Sequence, residues 1–243
     1  MKLDIASITD GLGGGKLTGN DVYVVGYEDN IGKVWKNGEV LHILTANDDV
    51  FPKSIFVVGN DVYVAGYKGS NRSRKVARFW KNGVEQNLTD ETNESEATSV
   101  YVSGNDVYVA GNDGKIPKLW KNGSAQDLIT KFGGRANSVF VSGNDVYVAG
   151  IAYEKYSGSV VILWKNGVAQ NITEATYREK AIDSFNYDGA NSVYVLDKDV
   201  YVAGWKFKEG ERGNRVAMLW KNGKAQNLTN GIDQGEALSV FVK

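Results

Sequence analysis

Two phrases alternate along this chain of 243 residues, and they constrain its fold more than any other feature. Asp-Val-Tyr-Val-(Ala/Val)-Gly places its tyrosine at Tyr23, Tyr63, Tyr108, Tyr147 and Tyr201, and Trp-Lys-Asn-Gly begins at Trp35, Trp80, Trp120, Trp164 and Trp220. Successive tyrosines lie 40, 45, 39 and 54 residues apart, so one unit occurs five times with elastic loops. A period of this length is the mark of a solenoid or a propeller.

Each unit resolves into four short strands. The first, a, is exemplified by 99–102, and Gly-Asn leads from it into strand b, such as 106–110. After a loop of variable length comes strand c, such as 161–164, and Asn-Gly turns the chain into strand d, such as 169–173. Asn37-Gly38, Asn82-Gly83, Asn122-Gly123, Asn166-Gly167 and Asn222-Gly223 suit the positive φ angles of a type I′ hairpin. Gly59-Asn60, Gly104-Asn105 and Gly143-Asn144 predict the same turn between a and b, whereas Asp197-Lys198 predicts a less regular one. Hairpins repeated at this spacing imply antiparallel sheets, and no segment carries a helical apolar period.

Burial then selects the architecture. In strand b, Val62 and Val64 point to one face while Tyr63 and Ala65 point to the other; in strand c, Ala217 and Leu219 oppose Trp220. Both faces are apolar, so both need cover. Radial stacking of sheets provides that cover, whereas a linear stack leaves two apolar ends needing polar caps. The expectation is an all-β, five-bladed β-propeller of four-stranded antiparallel blades, forming one domain over 1–243. Residues 1–16 read as a leader, and the blades span approximately 19–52, 53–97, 98–136, 137–189 and 190–237. Lys16-Leu17-Thr18 is a degenerate a strand for the first blade, whereas Leu238-Ser239-Val240-Phe241-Val242 is a good one. Segment 238–243 is therefore expected to pair into the first blade and close the ring. The alternative is an array that continues into a further blade.

Gly-Asn-Asp-Val-Tyr-Val-Ala-Gly resembles the a–b hairpin of bacterial β-propeller repeats of the SBBP and NHL kind. Trp-Lys-Asn-Gly is similar to repeats in bacterial surface and lipoprotein-type propellers. The resemblance covers about 17–243. It implies ligand or protein binding on one face, often outside the cell, and it implies no catalytic residue.

Composition removes several function classes. With 28 basic and 29 acidic residues the net charge is −1, so no global field draws the chain to nucleic acid or an anionic membrane. No apolar run approaches the roughly 20 residues of a membrane span, and the first ten residues lack a signal peptide's pattern. Without cysteine there are neither disulfides nor thiolate metal sites, and one histidine, His42, leaves no triad or histidine metal cluster. No cofactor is expected. Gly11 to Lys16 lacks the strand, the helix and the hydroxyl residue of a phosphate loop.

In an antiparallel a-b-c-d blade the a–b and c–d turns share one face of the disc, and the b–c and d–a connections share the other. Length variation falls entirely on the second face, where binding residues are expected. Tyr67, Arg135, Tyr156, Tyr177 and Trp205 are the leading candidates for holding a carbohydrate or protein ligand there. Phe51, Phe132, Tyr153, Phe185, Tyr187 and Phe207, with Arg72, Arg74 and Arg178, accompany them. Aromatic platforms beside hydrogen-bonding groups suit sugar rings and protein hot spots alike. Serines Ser54, Ser99, Ser138, Ser192 and Ser239 start the inner strands, either lining a channel or satisfying nearby backbone. A five-bladed glycosidase needs carboxylates near the axis. Here Glu96, Asp183, Asp188 and Glu236 lie only upstream of the inner strands and do not all recur at one blade position, so a binding role is expected rather than an enzymatic one.

Overall fold

Every Asn-Gly pair takes the backbone conformation that its chemistry favours. Asn37, Asn82, Asn122, Asn166 and Asn222 have φ of 49–51°, and the glycines that follow have φ of 77–86°. The computed structural model describes residues 20–45, 49–69, 73–155, 158–173, 188–207 and 214–243. Among them are five antiparallel sheets and no helix, an arrangement consistent with a five-bladed propeller. The first sheet is β1 (Tyr23–Glu28), β2 (Ile31–Lys36) and β3 (Glu39–Ile43). The second is β4 (Val50–Val58), β5 (Asp61–Lys68), β6 (Val76–Lys81) and β7 (Val84–Asn87), and the third is β8 (Ser95–Ser103), β9 (Asp106–Asp113), β10 (Ile116–Lys121) and β11 (Ser124–Asp127). The fourth is β12 (Gly134–Ser142), β13 (Asp145–Glu154), β14 (Gly158–Lys165) and β15 (Val168–Asn171). The fifth is β16 (Gly189–Leu196), β17 (Asp199–Phe207), β18 (Arg215–Lys221) and β19 (Lys224–Asn227). Strands pair in chain order within each sheet.

The a–b turns differ from expectation. Gly59, Gly104 and Gly143 have φ near 58°, but the asparagines after them do not have positive φ, which is the sign pattern of a type II′ turn rather than I′. The Asp197-Lys198 turn keeps the same two-residue length, with Leu196 opposite Asp199, and Asp197 itself takes φ 54°. Register is held by the flanking strands, so the non-glycine residue absorbs the strain.

Trp80, Trp120, Trp164 and Trp220 are 0–1% exposed, each wedged between its own sheet and the preceding one. Truncating any of them to alanine costs about 3–5 kcal/mol. On the tight-turn face a second repeated device explains the two phrases. In every unit the asparagine Nδ2 donates to the aspartate Oδ1 and its Oδ1 accepts the N–H of the following valine, as in Asn122 with Asp106 and Val107. The lysine pairs with the same aspartate and lies over the tyrosine ring, as Lys121 does with Asp106 and Tyr108. The set recurs around Asp21, Asp61, Asp145 and Asp199.

The inner strands start earlier than the expected blade boundaries and contain a bulge before each serine: Pro52/Ser54, Ala97/Ser99, Ala136/Ser138 and Ala190/Ser192. The bulge brings two backbones together opposite the glycine of strand b. A Cβ on Gly66, Gly111, Gly150 or Gly204 would lie 1.9–2.5 Å from a carbonyl oxygen of the inner strand. Each serine Oγ then accepts a backbone N–H of the next inner strand: Ser54 from Val100, Ser99 from Val139, Ser138 from Val193 and Ser192 from Val240. These four serines satisfy backbone, the plainer of the two roles. Alongside runs a ladder of rings, Phe56–Tyr101–Phe140–Tyr194–Phe241, with centroids 4.7–5.1 Å apart.

The expected pairing of 238–243 with the first sheet is not present. β1 is hydrogen-bonded to β2 alone, and the first sheet has three strands. Segment 235–242 instead lies beside the fifth sheet, where Val240 reaches Ser192, Phe241 meets Tyr194 and the Ala237 N–H reaches the Gly204 carbonyl. These contacts repeat the sheet-to-sheet pattern, which does not depend on β1.

Candidate functional site

In the second to fifth sheets, strand order puts the b–c and d–a connections at the end of the sheet opposite the tight turns. Among the described residues this face holds a cleft of about 940 Å³ between the third and fourth sheets. Its walls are the turn Gly114-Lys115 between β9 and β10, Phe132 just before β12, Arg135 on β12, and Ile151, Tyr153 and Glu154 on β13.

The walls are fixed by backbone. The Lys115 carbonyl accepts the Gly134 N–H at 2.8 Å, and the Gly133 carbonyl accepts the Tyr153 N–H at 2.8 Å. Gly133 sits at φ 88°, and a Cβ there would lie 2.5 Å from the Lys115 carbonyl oxygen, so the chain passes only because that side chain is absent. Arg135 stands on β12 opposite Ile151, and its Nε donates to the Tyr153 hydroxyl at 3.2 Å. Lys131 lies over the Phe132 ring at 5.3 Å. The result is an exposed guanidinium beside half-buried aromatic faces, with Arg135 and Tyr153 held on strands and Phe132 in the connection before β12.

The five leading residues fare differently. Arg135 lines the cleft. Tyr67 is 9% exposed: Phe51 stacks on it at 5.2 Å, Lys53 and Lys75 lie over its ring, and burial raises its hydroxyl pKa. Trp205 is also 9% exposed, capped by the Arg215 guanidinium at 4.1 Å with Phe207 edge-on. Cations thus lie over both rings, an arrangement that sequence spacing does not reveal. Tyr156 and Tyr177 lie outside the described residues, as do Arg72, Arg178, Phe185 and Tyr187. Of the accompanying residues, Phe132 and Tyr153 reach the cleft, while Arg74 is bound to the carbonyls of Glu91 and Thr92.

The upstream acids are engaged separately. Glu96 pairs with Lys75 at 2.7 Å, and Glu236 pairs with Arg215 at 3.2 Å and accepts from Asn191. Asp188 is pushed up in pKa by burial and accepts the Phe207 N–H, and Asp183 lies outside the described residues. His42 packs against the Asn82-Gly83 turn. One site residue escaped sequence reasoning. Lys115 occupies the c-strand entry held elsewhere by Lys75 and Arg215, and aligning the units would have found it.

Comparison with known proteins adds little. No family model and no curated relative matches the chain. A solved structure described as "Bacteroides ovatus Xyloglucan PUL GH43B" is similar over 91% of this chain and 55% of its own, with 10% identity and a TM-score of 0.44. The chain thus spans about half of that protein's length, and a likeness this distant carries no argument about function.

Proposed function

We propose that this protein is a non-catalytic binding module that holds a saccharide in the cleft between its third and fourth sheets. The observation that carries the reading is the cleft itself: a concavity of about 940 Å³ lined by Phe132, Tyr153 and Arg135. Ring faces take the apolar faces of pyranoses, and the guanidinium and hydroxyl take their hydroxyl groups. Concavity favours a chain-like or small ligand over a flat protein epitope. The proposal is tested by calorimetric titration against a panel of oligosaccharides. Binding is expected, weakened about tenfold or more by Tyr153→Ala or Arg135→Ala. A panel with no binder refutes the saccharide reading, and recovery of shortened glycan after long incubation refutes the non-catalytic one.

The scaffold reading is a closed five-bladed propeller in which segment 235–242 adds to the free edge of β1. Three features of the chain support it. Gly26 occupies the place of Gly66, Gly111, Gly150 and Gly204, yet a Cβ there would meet only the Trp35 side chain, at 3.3 Å. Ala237 and Ser239 repeat the bulge-and-serine pattern of the four inner strands. The faces that would meet are bare: Val24 is 52% exposed, Leu238 71% and Phe241 75%. By the register of the other units Ser239 stands opposite Val25, and Phe241 completes the ring ladder against Phe56.

A further inference from the structure

We infer that the cleft binds an acidic saccharide, and that a ligand carboxylate seats between Lys115 and Arg135; the inference rests on the saccharide reading above. Equivalent places in the repeat point to it. The residue entering strand c accepts, through its carbonyl, an N–H from the start of the next inner strand. This holds for Lys75 with Ser95, Lys115 with Gly134 and Arg215 with Gly235, at 2.8–2.9 Å. The side chain one residue beyond that N–H therefore faces the c-strand residue in the same way each time.

At two of these places the facing pair is an ion pair, Lys75 with Glu96 and Arg215 with Glu236. Between the third and fourth sheets the pair is Lys115 with Arg135, two cations where Lys75 and Arg215 each face a carboxylate; at the other two equivalent places Asn30 faces Phe51 and Ser159 faces Gly189. Among the described residues no carboxylate lies within ion-pair distance of Lys115, Arg135 or the adjacent Lys131. Arg135 reaches the Tyr153 hydroxyl, and Lys131 reaches the Phe132 ring. Glu94 and Glu154 also line the cleft, but neither reaches these cations. The tight-turn face is the contrast, since its repeated lysines each hold an aspartate.

Two cations on hydrogen-bonded backbone, with no carboxylate at ion-pair distance among the described residues, form a site for one from outside. The planar guanidinium offers a bidentate face, and Lys115 supplies a point charge. Tyr153 and Phe132 flank the position where the sugar ring bearing that carboxylate would stack. The chemistry selected is that of a uronic acid unit; a sulfate ester offers the same charge and is distinguished by a separate arm of the test.

The test is calorimetric titration of the full chain with tetragalacturonate, its neutral galactose counterpart and a sulfated galactose oligomer, at about 50 mM and about 500 mM salt. Tetragalacturonate is expected to bind about tenfold tighter than the neutral tetramer at low salt, with the advantage shrinking at high salt. Lys115→Gln should lower the ratio of acidic to neutral affinity by about threefold or more. Arg135→Glu should abolish it and raise the melting temperature by roughly 1–2 °C, because it restores the ion pair found at the sister positions. That stabilisation separates a lost anion site from a damaged fold. Equal or tighter binding of the neutral tetramer overturns the acidic inference and leaves the saccharide reading intact. Failure of all three ligands refutes the saccharide reading itself. Preference for the sulfated oligomer overturns the carboxylate assignment, and a preference that survives Arg135→Glu places the anion elsewhere.

Discussion

Gly26→Ala, measured beside Gly111→Ala, tests whether the free edge of β1 is filled in solution. At Gly111 an added Cβ would lie 2.1 Å from the Glu96 carbonyl oxygen and 2.9 Å from the Ala97 Cα. Real Cβ atoms keep about 3.0 Å or more, so the inner strand must retreat by close to an ångström at the bulge. Overpacking of that kind costs about 1–3 kcal/mol. Loss of one or two ladder hydrogen bonds adds about 1 kcal/mol each. Gly111→Ala is therefore expected to destabilise by roughly 2–4 kcal/mol, or about 5–15 °C in melting temperature for a domain of this size. With β1 unpaired, the Cβ at Gly26 meets only the outer part of the Trp35 indole, at 3.3 and 3.8 Å, and the cost is well under about 1 kcal/mol. With segment 235–242 paired to β1, the carbonyl of Glu236 stands where that of Glu96 stands, and the cost matches Gly111→Ala. The assay is thermal unfolding followed by far-ultraviolet circular dichroism. Comparable losses in both variants support the closed ring. A large loss at Gly111 with none at Gly26 refutes it, and a harmless Gly111→Ala refutes the steric reasoning altogether.

The aspartates of the tight-turn clamps have pKa values held below the ordinary range. The lysine hydrogen bond is the largest cause at Asp21, Asp106, Asp145 and Asp199, and the Asn82 hydrogen bond is the largest at Asp61. A depressed carboxylate stabilises the fold above its unfolded value of about 3.9 and loses that contribution as pH falls through the folded value. The melting temperature is thus expected to hold from about pH 5 upward and to fall below about pH 4; a flat profile down to about pH 2 would refute the clamps' role. Asp197→Gly relieves a positive φ that a glycine occupies in three sister turns, and should stabilise by roughly 1 kcal/mol in chemical denaturation. A destabilised Asp197→Gly would show that this turn differs from its sisters.

Much of the fold was legible because its determinants are local. The five units, the hairpin positions and the buried tryptophans follow from Asn-Gly pairs and alternating apolar residues, which act over two or three neighbours. The loop face was legible too, since length variation shows in one dimension. The candidate site was legible only in part. Arg135, Phe132 and Tyr153 were on the expected face, but Lys115 gains meaning only when its carbonyl's partner places it against Arg135.

Strand and turn chemistry is written in adjacent residues, so the five sheets and the end of each that carries variable loops could be read from the chain alone. Which rings lie under cations could not. Lys53, Lys75 and Arg215 cover Tyr67 and Trp205, while Tyr153 keeps its place in a cleft between two sheets. The physical reason is that cover and exposed charge depend on side chains from separate strands and separate units, whose meeting is set by how the sheets stack.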